Sequence, residues 1–600
     1  MNDPFDALPP LSADDEADAY EAQAQGDGGY DCGEELPQCD MDPELLRQGA
    51  NRPLNDFGNG QRLCLYFGDD LMWVPRVGWF TWTGAVWLKD ADEIAARQKA
   101  QRIGALVERE IGMVVLSDKE MERLREKRTL QAERIAHAVI GDEDAATKVD
   151  EIDRKLGEIA MLEKRIGSLK KEHRSFARTS GNTARIKALL EEGGIGLAKT
   201  LDDLDRDPLM VNTASGVLVF RVQDFGGVRR ADVELVEHTR DLRLTKMMPV
   251  AYVPGATAPR FMHFLDRIQP DLEMQGFLQR IFGLSMTGLI EQMLVFLYGD
   301  GANGKSVLVD LVARILGDYA ATAKIESLTG QNRRGGGDAT PDLVPLIGAR
   351  FVRSSEPDKG VQWQEGLIKE LTGGEPILVR ALNQDFVEVR PKFKLVISGN
   401  HKPEIRGTDD GIWRRLKLVP FDVQIPEHER IPKQEFDEML FAEAPGVLNW
   451  MVEGLLSYLE AGLREPSTVR DATRAFREES DPYGAFLEEV CVVTGTPDHT
   501  VKALELVNAF HFWLGRRGEG QFKDRTVALA LKDRSRRWRS RQTGQKFSEL
   551  KSGGTMRYTG IRFTDLFARD FDNAPKDQRG RPLLTAEAGA VRIGDDEMAQ

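Results

Sequence analysis

The period of the apolar positions changes several times along the 600-residue chain. Residues 63 to 90, LCLYFGDDLMWVPRVGWFTWTGAVWLKD, mix aromatics with glycines and alternate over short distances, which predicts small strands and turns. From Glu108 to Arg174 the chain is charge-laced and almost free of Gly and Pro. Its runs KEMERLREKRTLQAERIAHAV and VDEIDRKLGEIAMLEKRIGSLKKEH predict two long helices, paired antiparallel and separated near IGDED. MVNTASGVLVFRV at 210 to 222 reads as strand, turn and strand, with Gly216 at the turn. A helical stretch, FMHFLDRIQPDLEMQGFLQRIFGLSMTG, leads to the buried-strand pattern MLVFLY, and the amphipathic pattern SVLVDLVARIL follows eight residues later. Strand-like runs at 349 to 354 and 393 to 399 then alternate with helical patterns, the signature of an α/β fold. Between them PILVRAL and FVEVRP flank a short polar turn, a hairpin signal. Helices dominate 434 to 463, and 480 to 575 reads as a separate small domain.

Length sets the expectation of two to four domains. With 41% apolar and 30% charged residues, no run of eighteen or more uncharged apolar residues occurs, so no membrane-spanning helix is expected, and no basic-then-apolar leader opens the chain. Cys32, Cys39, Cys64 and Cys491 are too few for a disulfide scaffold and lack the CxxC spacing of a zinc site, which favours a reducing cytoplasm. The net charge of −16 argues against nucleic acid only until its distribution is considered. Residues 1 to 45 hold fourteen Asp and Glu and no Lys or Arg, the composition of a disordered acidic tail. The remaining body is near neutrality and contains the basic stretch RRWRSR at 536 to 541, so DNA stays open as a partner.

Candidate chemistry centres on GDGANGKS. Gly299, four intervening residues, then Gly304, Lys305 and Ser306 satisfy the P-loop pattern, with a strand before it and a helix after it. Small residues there let backbone N–H groups turn to phosphates, which also meet the positive end of the helix. The expected nucleotide cradle is therefore Gly299, Asp300, Gly301, Ala302, Asn303, Gly304, Lys305, Ser306 and Val307, with Lys305 on the β and γ phosphates and Ser306 on Mg²⁺. ARFVRSSEPD runs a short strand into Glu356, with Asp358 two residues on. Glu356 is the candidate to activate water and to support Mg²⁺; a surface glutamate at a strand end is the alternative. FKLVISGN ends in Asn400, a group that orients water or marks a plain turn. In DDGIWRRLKLVPF, Arg414 and Arg415 are candidates to stabilise charge on a transferring phosphoryl group, or else members of a surface ion pair.

Together YGDGANGKS, GARFVRSSEPDKG, IKELTGGEPILVRAL, FKLVISGNHKPEIRGTDDGIWRRLKLVPF and GVLNWMVEGLLSYLEAGLREPSTV, in this order, resemble the helicase half of phage- and plasmid-type (D5-like, P4-like) primase-helicases, within superfamily 3 of the AAA+ class. Upstream, GWFTWTGAVWLKD, DLDRDPLMVNTASGVLVF and GFLQRIFGLSMTG resemble the domain that precedes the core in that family, so the likeness covers most of residues 60 to 495. It implies an AAA+ P-loop ATPase core with a mixed α+β N-terminal region and a small winged-helix-like C-terminal domain. The expected organisation is an acidic tail at 1–48, a helicase-associated domain at 49–255 carrying the helical hairpin near 108–174, the ATPase at 256–465, the winged-helix-like domain at 480–575 and a flexible tail at 576–600.

By the same resemblance Lys305 and Ser306 are the Walker A pair, Glu356 the Walker B acid, Asn400 the sensor, and Arg414 or Arg415 the arginine finger. The implied protein is an ATP- and Mg²⁺-dependent DNA helicase, a ring, usually a hexamer in that family, translocating 3′ to 5′ on single-stranded DNA in a bacterial host's cytoplasm, beside a separate primase or replication protein. Lys369, Arg380, Asn383, Gln384 and Lys392 are the expected DNA contacts around the channel hairpin. The hairpin turn reads Asn383-Gln384-Asp385 where the family often carries a lysine, leaving only neutral donors for phosphate at the tip. The small segment ahead of the helicase region lacks the strand pattern that would hold metal-binding carboxylates, so primer synthesis by this chain is not expected. KDRSRRWRSR offers a DNA-following basic stretch with Trp538 for stacking, or a solvated helix. Two other readings stay open: a nucleotide-ordered origin-binding or assembly protein without unwinding, and a packaging or partitioning ATPase.

Overall fold

The structure, a computed structural model, describes residues 42–114, 116–329, 339–355, 361–381, 385–405, 410–518 and 522–577. Glu356, Asp358, Asn383 and Gln384 lie outside the described residues, as do nearly all of the expected tails. One compact unit takes the described residues of Met1–Leu71 with Glu93–Ala198; the other takes Met72–Asp92 with the described residues of Lys199–Gln600.

In the first unit two long helices, Asp118–Ile140 and Glu143–Ser180, run antiparallel. Glu120 with Arg165, Lys127 with Glu163 and Arg134 with Asp153 pair across them with residue numbers rising on one helix as they fall on the other. Ser117 and Glu120 form a capping box, and Gly141 in the left-handed region ends the first helix before Asp142 caps the second. Leu130, Ile152 and Ile159 form the thin apolar seam between them. The helix Asp56–Phe67 includes LCLYF, where the sequence pattern predicts a strand. Asn55 accepts from the Gly58 N–H as its cap, and Leu63 and Phe67, four residues apart, are buried on one face. Arg62 on this helix is fully buried with Glu110 at 3.0 Å and also donates to the carbonyls of Gly49, Arg52 and Pro53.

The second unit is a mixed α/β body around one parallel sheet. Strands Leu71–Val74, Gly78–Trp82 and Trp87–Asp90 make a small sheet. Another joins Met210–Thr213, Gly216–Phe225 and Val228–Val236, antiparallel throughout. Helices Pro259–Ile268 and Leu272–Leu284 divide the expected single helical stretch at Pro270, whose ring cannot continue a helix. The central strands are β1 (Leu294–Tyr298), β2 (Ala320–Ala323), β3 (Phe351–Ser354), β4 (Lys394–Gly399) and β5 (Leu416–Pro420). They lie parallel in the order β5-β1-β4-β3-β2. Leu294, Phe296, Leu395, Ile397, Leu416 and Leu418 face one core, and Val295, Leu297, Val396 and Val419 the other. Both faces are buried, so these strands read as unbroken apolar runs rather than as alternation. Lys394 opens β4 fully buried, with Nζ donating to the carbonyls of Thr287 at 2.6 Å and Leu289 at 3.0 Å; burial pushes its ammonium well below the usual lysine range.

Residues 482 to 573 have their own core. Helices Pro482–Val490, Ala503–Arg516 and Asp524–Arg537 precede the hairpin Ser548–Ser552 and Thr555–Thr559, which pairs back with Thr500–Lys502 in a three-stranded sheet. Among the described residues no helix is long and apolar enough to cross a membrane.

Candidate nucleotide site

The expected cradle sits at the carboxyl end of β1, ahead of the helix Lys305–Leu316. Gly304 adopts φ +79°, and a Cβ there would lie 2.7 Å from Ile268 Cγ2 and 2.9 Å from Phe264 Cε2, so the position needs glycine twice over. Ala302 also has positive φ, at 61°. The loop is held from β5: the Phe421 N–H donates to Tyr298 O at 2.7 Å, and the Ile425 N–H to Ala302 O at 2.8 Å. Asn303 is buried and its Nδ2 donates to the carbonyls of Asp300 and Phe421. Lys305 is only 5% exposed. Its Nζ donates to Gly299 O at 2.6 Å, Asn303 Oδ1 at 2.9 Å and Asn400 Oδ1 at 3.3 Å. Asn400 reaches it because Gly399 of β4 stands in register with Tyr298 of β1.

This arrangement suits a phosphate group. The first N–H groups of a helix lack intrahelical partners, and here they open beside a preheld ammonium. Ser306 is exposed on the first turn, while Val307 is half-buried. Among the described residues no three His, Cys, Asp or Glu side chains gather as a metal site. Glu356, expected to support a cation here, lies outside the described residues; of the described ones, the Ser306 hydroxyl would hold Mg²⁺ beside phosphate oxygens and water.

The two arginines lie elsewhere. Leu416 of β5 pairs with Leu294, and Pro420 with Tyr298. Arg414 and Arg415 thus precede the amino end of β5, a strand's length (~13 Å) from the loop's edge of the sheet. Arg415 is 7% exposed and its Nη1 donates to Gly411 O at 2.7 Å. Arg414 is exposed, with Gln292 Oε1 3.5 Å from its Nη2. Of the expected DNA contacts, Lys369 is half-buried 4.0 Å from Glu365, and Arg380 is half-buried with its guanidinium over Phe386. Lys392 is also half-buried, where the chain enters β4. The hairpin itself forms, with Ile377–Val379 antiparallel to Val387–Val389. Arg390 beyond it is exposed and was not among the sequence candidates, although Glu388 and Arg390 both fall on the outward step of the strand alternation. Trp538 is half-buried, with its ring edge-on to Phe547 at a distance of 6.2 Å. Arg525, Arg536 and Arg539 remain exposed around that helix.

Residues 60–270 match the family model described as D5 N terminal like. The chain is a relative of the D5-like primase-helicases. Residues 297–415, which contain the loop and Asn400 together with both arginines, match a second model, described as a family of unknown function (DUF5906). Among curated D5-like relatives, a "Putative helicase" of Acanthamoeba polyphaga mimivirus is 30% identical over 42% of this chain and 28% of its own length. A second "Putative helicase", of Invertebrate iridescent virus 3, is 25% identical over 52% of this chain and 35% of its own length. A "Putative primase" of African swine fever virus is 23% identical over 52% and 34%. The matched part thus spans 28–35% of the length of these D5-like proteins. Among solved structures, the C-terminal region of NrS-1 is similar at 11% identity, covering 57% of this chain and 96% of that one, with a TM-score of 0.33.

Proposed function

We propose that this chain is an ATP-driven DNA helicase of the AAA+, superfamily 3 type, assembling as a ring on single-stranded DNA during replication of a mobile genome. The observation that carries the reading is the meeting of Lys305 and Asn400 over the loop after β1. Sheet order supports it: the chain leaves β1 for the far edge, returns through β3 and β4, then crosses to β5 on the other side of β1. Ligands of open parallel sheets bind at such reversals, outside the carboxyl ends of the strands.

On this reading Lys305 and the loop N–H groups hold the β and γ phosphates, and Asn400 fixes the position of the attacking water. Mg²⁺, held through Ser306, supplies charge neutralisation on the phosphate oxygens. Glu356, two residues past β3, is the base that takes the water's proton. Arg414 lies too far from its own loop and serves the site of an adjacent copy, while Arg415 holds the turn before β5. The hairpin Ile377–Val389 carries DNA contacts, with Arg390 added to the expected set, and residues 482 to 573 act as a winged-helix-like DNA-binding module. The names of the viral relatives support DNA as the substrate.

A forked duplex tests the proposal. Wild type is expected to separate strands only with ATP and Mg²⁺, with preference for a 3′ tail, and Lys305→Ala is expected to abolish both ATP turnover and unwinding. Nucleotide-dependent assembly without strand separation would overturn the helicase reading, as would hydrolysis stimulated by intact duplex and not by single strands.

A further inference from the structure

Beside Arg414 the surface folds into a cleft of about 410 Å³, lined by five cationic side chains, Arg414, Lys417, Arg470, Arg474 and Arg477, and only two carboxylates, Asp410 and Glu465. Arg470, Arg474 and Arg477 recur at i, i+4 and i+7 along the helix Ser467–Glu479, so they share one face of it. That helix is fixed in place. Thr473 Oγ1 accepts from the Leu418 N–H of β5 at 3.0 Å, and Phe476 packs edge-on against Trp413 at 5.4 Å.

The acids only partly offset the charge. Glu465 is engaged by Lys417 at 2.7 Å, with both side chains about four-fifths buried. Asp410 is taken by Arg477. Arg474 meets Asp471 along the helix surface with side chains 68% and 59% exposed, a pair that water screens heavily. Arg470 spends Nη1 on the Glu465 backbone carbonyl. Three guanidiniums, Arg414, Arg470 and Arg474, thus line one rigid recess without a strong carboxylate partner of their own. Their planar forks match phosphate oxygens.

We propose that Arg470 and Arg474, together with Arg414, form the second half of the ATP site, delivered to the triphosphate held at Lys305 of an adjacent copy; this rests on the ATPase reading above. The cleft cannot serve its own loop, because it opens beside the amino end of β5 whereas the loop lies past the carboxyl ends. The loop's surroundings are complementary in charge, with Asp300 and Asp422 exposed beside it. A basic recess at one end of the sheet and an acidic rim at the other make a head-to-tail contact, the kind that closes into rings.

The experiment mixes subunits. Alone, Arg470→Ala with Arg474→Ala is expected to lower ATP turnover of the assembled protein on the order of 10- to 100-fold, the loss of two charge-assisted contacts in part. Its melting temperature, and its affinity for a fluorescent ATP analogue in dilute solution, stay at wild-type values. Mixed with Lys305→Ala subunits, which keep their arginines, the double variant regains turnover, since each partner supplies the half the other lacks. Arg474→Lys, on an otherwise wild-type chain, keeps the charge and is expected to fall between. Wild-type turnover in the double variant, or loss that mixing does not restore, overturns this inference alone. A wild type that hydrolyses no ATP at any concentration instead removes the ATPase reading, and this one with it.

Discussion

Gly304→Ala tests whether the loop's shape is set by sterics that can be added up. The substitution forces an L residue to φ +79°, which costs about 1–2 kcal/mol. It also drives a methyl to 2.7 Å from Ile268 Cγ2 and 2.9 Å from Phe264 Cε2. Ile268 and Phe264 are 0% and 5% exposed, so neither can swing into solvent, and overpacking of this kind costs about 1–3 kcal/mol. The sum is roughly 2–5 kcal/mol, a large share of the usual stability of a domain. For a unit of this size the melting temperature should fall by about 2–6 °C. Turnover should fall further, because the relieved strain moves the N–H groups of the first helical turn. Gly301→Ala is the control in the same loop: its φ lies outside the left-handed region and a Cβ there meets nothing within 4 Å. It is expected to stay within about 0.5 kcal/mol of wild type in stability. Calorimetry without nucleotide, beside steady-state hydrolysis, reads both variants. If Gly304→Ala melts with wild type, or if Gly301→Ala is equally damaging, the loop is not held as described.

The arginine pair should separate cleanly. Arg415→Ala removes a buried side chain and its hydrogen bond to Gly411 O, so it should cost about 2–4 kcal/mol of stability. Arg414→Ala should leave melting within about 0.5 kcal/mol while lowering turnover of the assembled protein on the order of 10³-fold or more; thermal melts paired with hydrolysis assays show whether the two effects trade places. In the other unit, Arg62→Met strands the fully buried Glu110 and should cost about 3–5 kcal/mol. Arg62→Met with Glu110→Leu should recover part of that loss in urea melts, and a double variant worse than the single one would count against a charge-pairing role.

What was legible in the sequence is what the chain specifies locally. GDGANGKS stands between an apolar run and a 3.6-period run, and β1 and the helix Lys305–Leu316 fall where those runs place them. The two long helices announce themselves through charge at i, i+4 and a glycine break, although the second continues to Ser180. The sequence pattern does not predict strand Val228–Val236, because its outward step carries Arg230, Asp232 and Glu234, which hide the alternation. LCLYF reads as a strand by composition, and only the cap at Asn55 and the burial of Leu63 with Phe67 decide otherwise. The burial of Arg415 was not legible at all. Adjacent arginines look alike in sequence, and which of them turns inward depends on the short helix Asp410–Trp413 packing beneath β5.

Strand β5 ties the two halves of the chemistry together. Its carboxyl end restrains the loop of its own copy, through Phe421 to Tyr298 and Asn303 and through Ile425 to Ala302. Its amino end carries Arg414 and borders the arginine cleft. The five extended residues of β5, about 13 Å from first to last, separate these roles, and their hydrogen bonds to β1 leave no slack between the two ends. On the reading proposed here, a nucleotide that shifts the loop must therefore displace either the β1–β5 pair as a body or the few contacts at Phe421 and Ile425. The first course moves Arg414 against the neighbour's phosphates; the second leaves it still. Side chains packed on both faces of β5, with Leu418 in one core and Val419 in the other, favour movement as a body. Occupancy of one site is then felt at the next through a single strand, and the paired arginines before it are divided between holding that strand and using it.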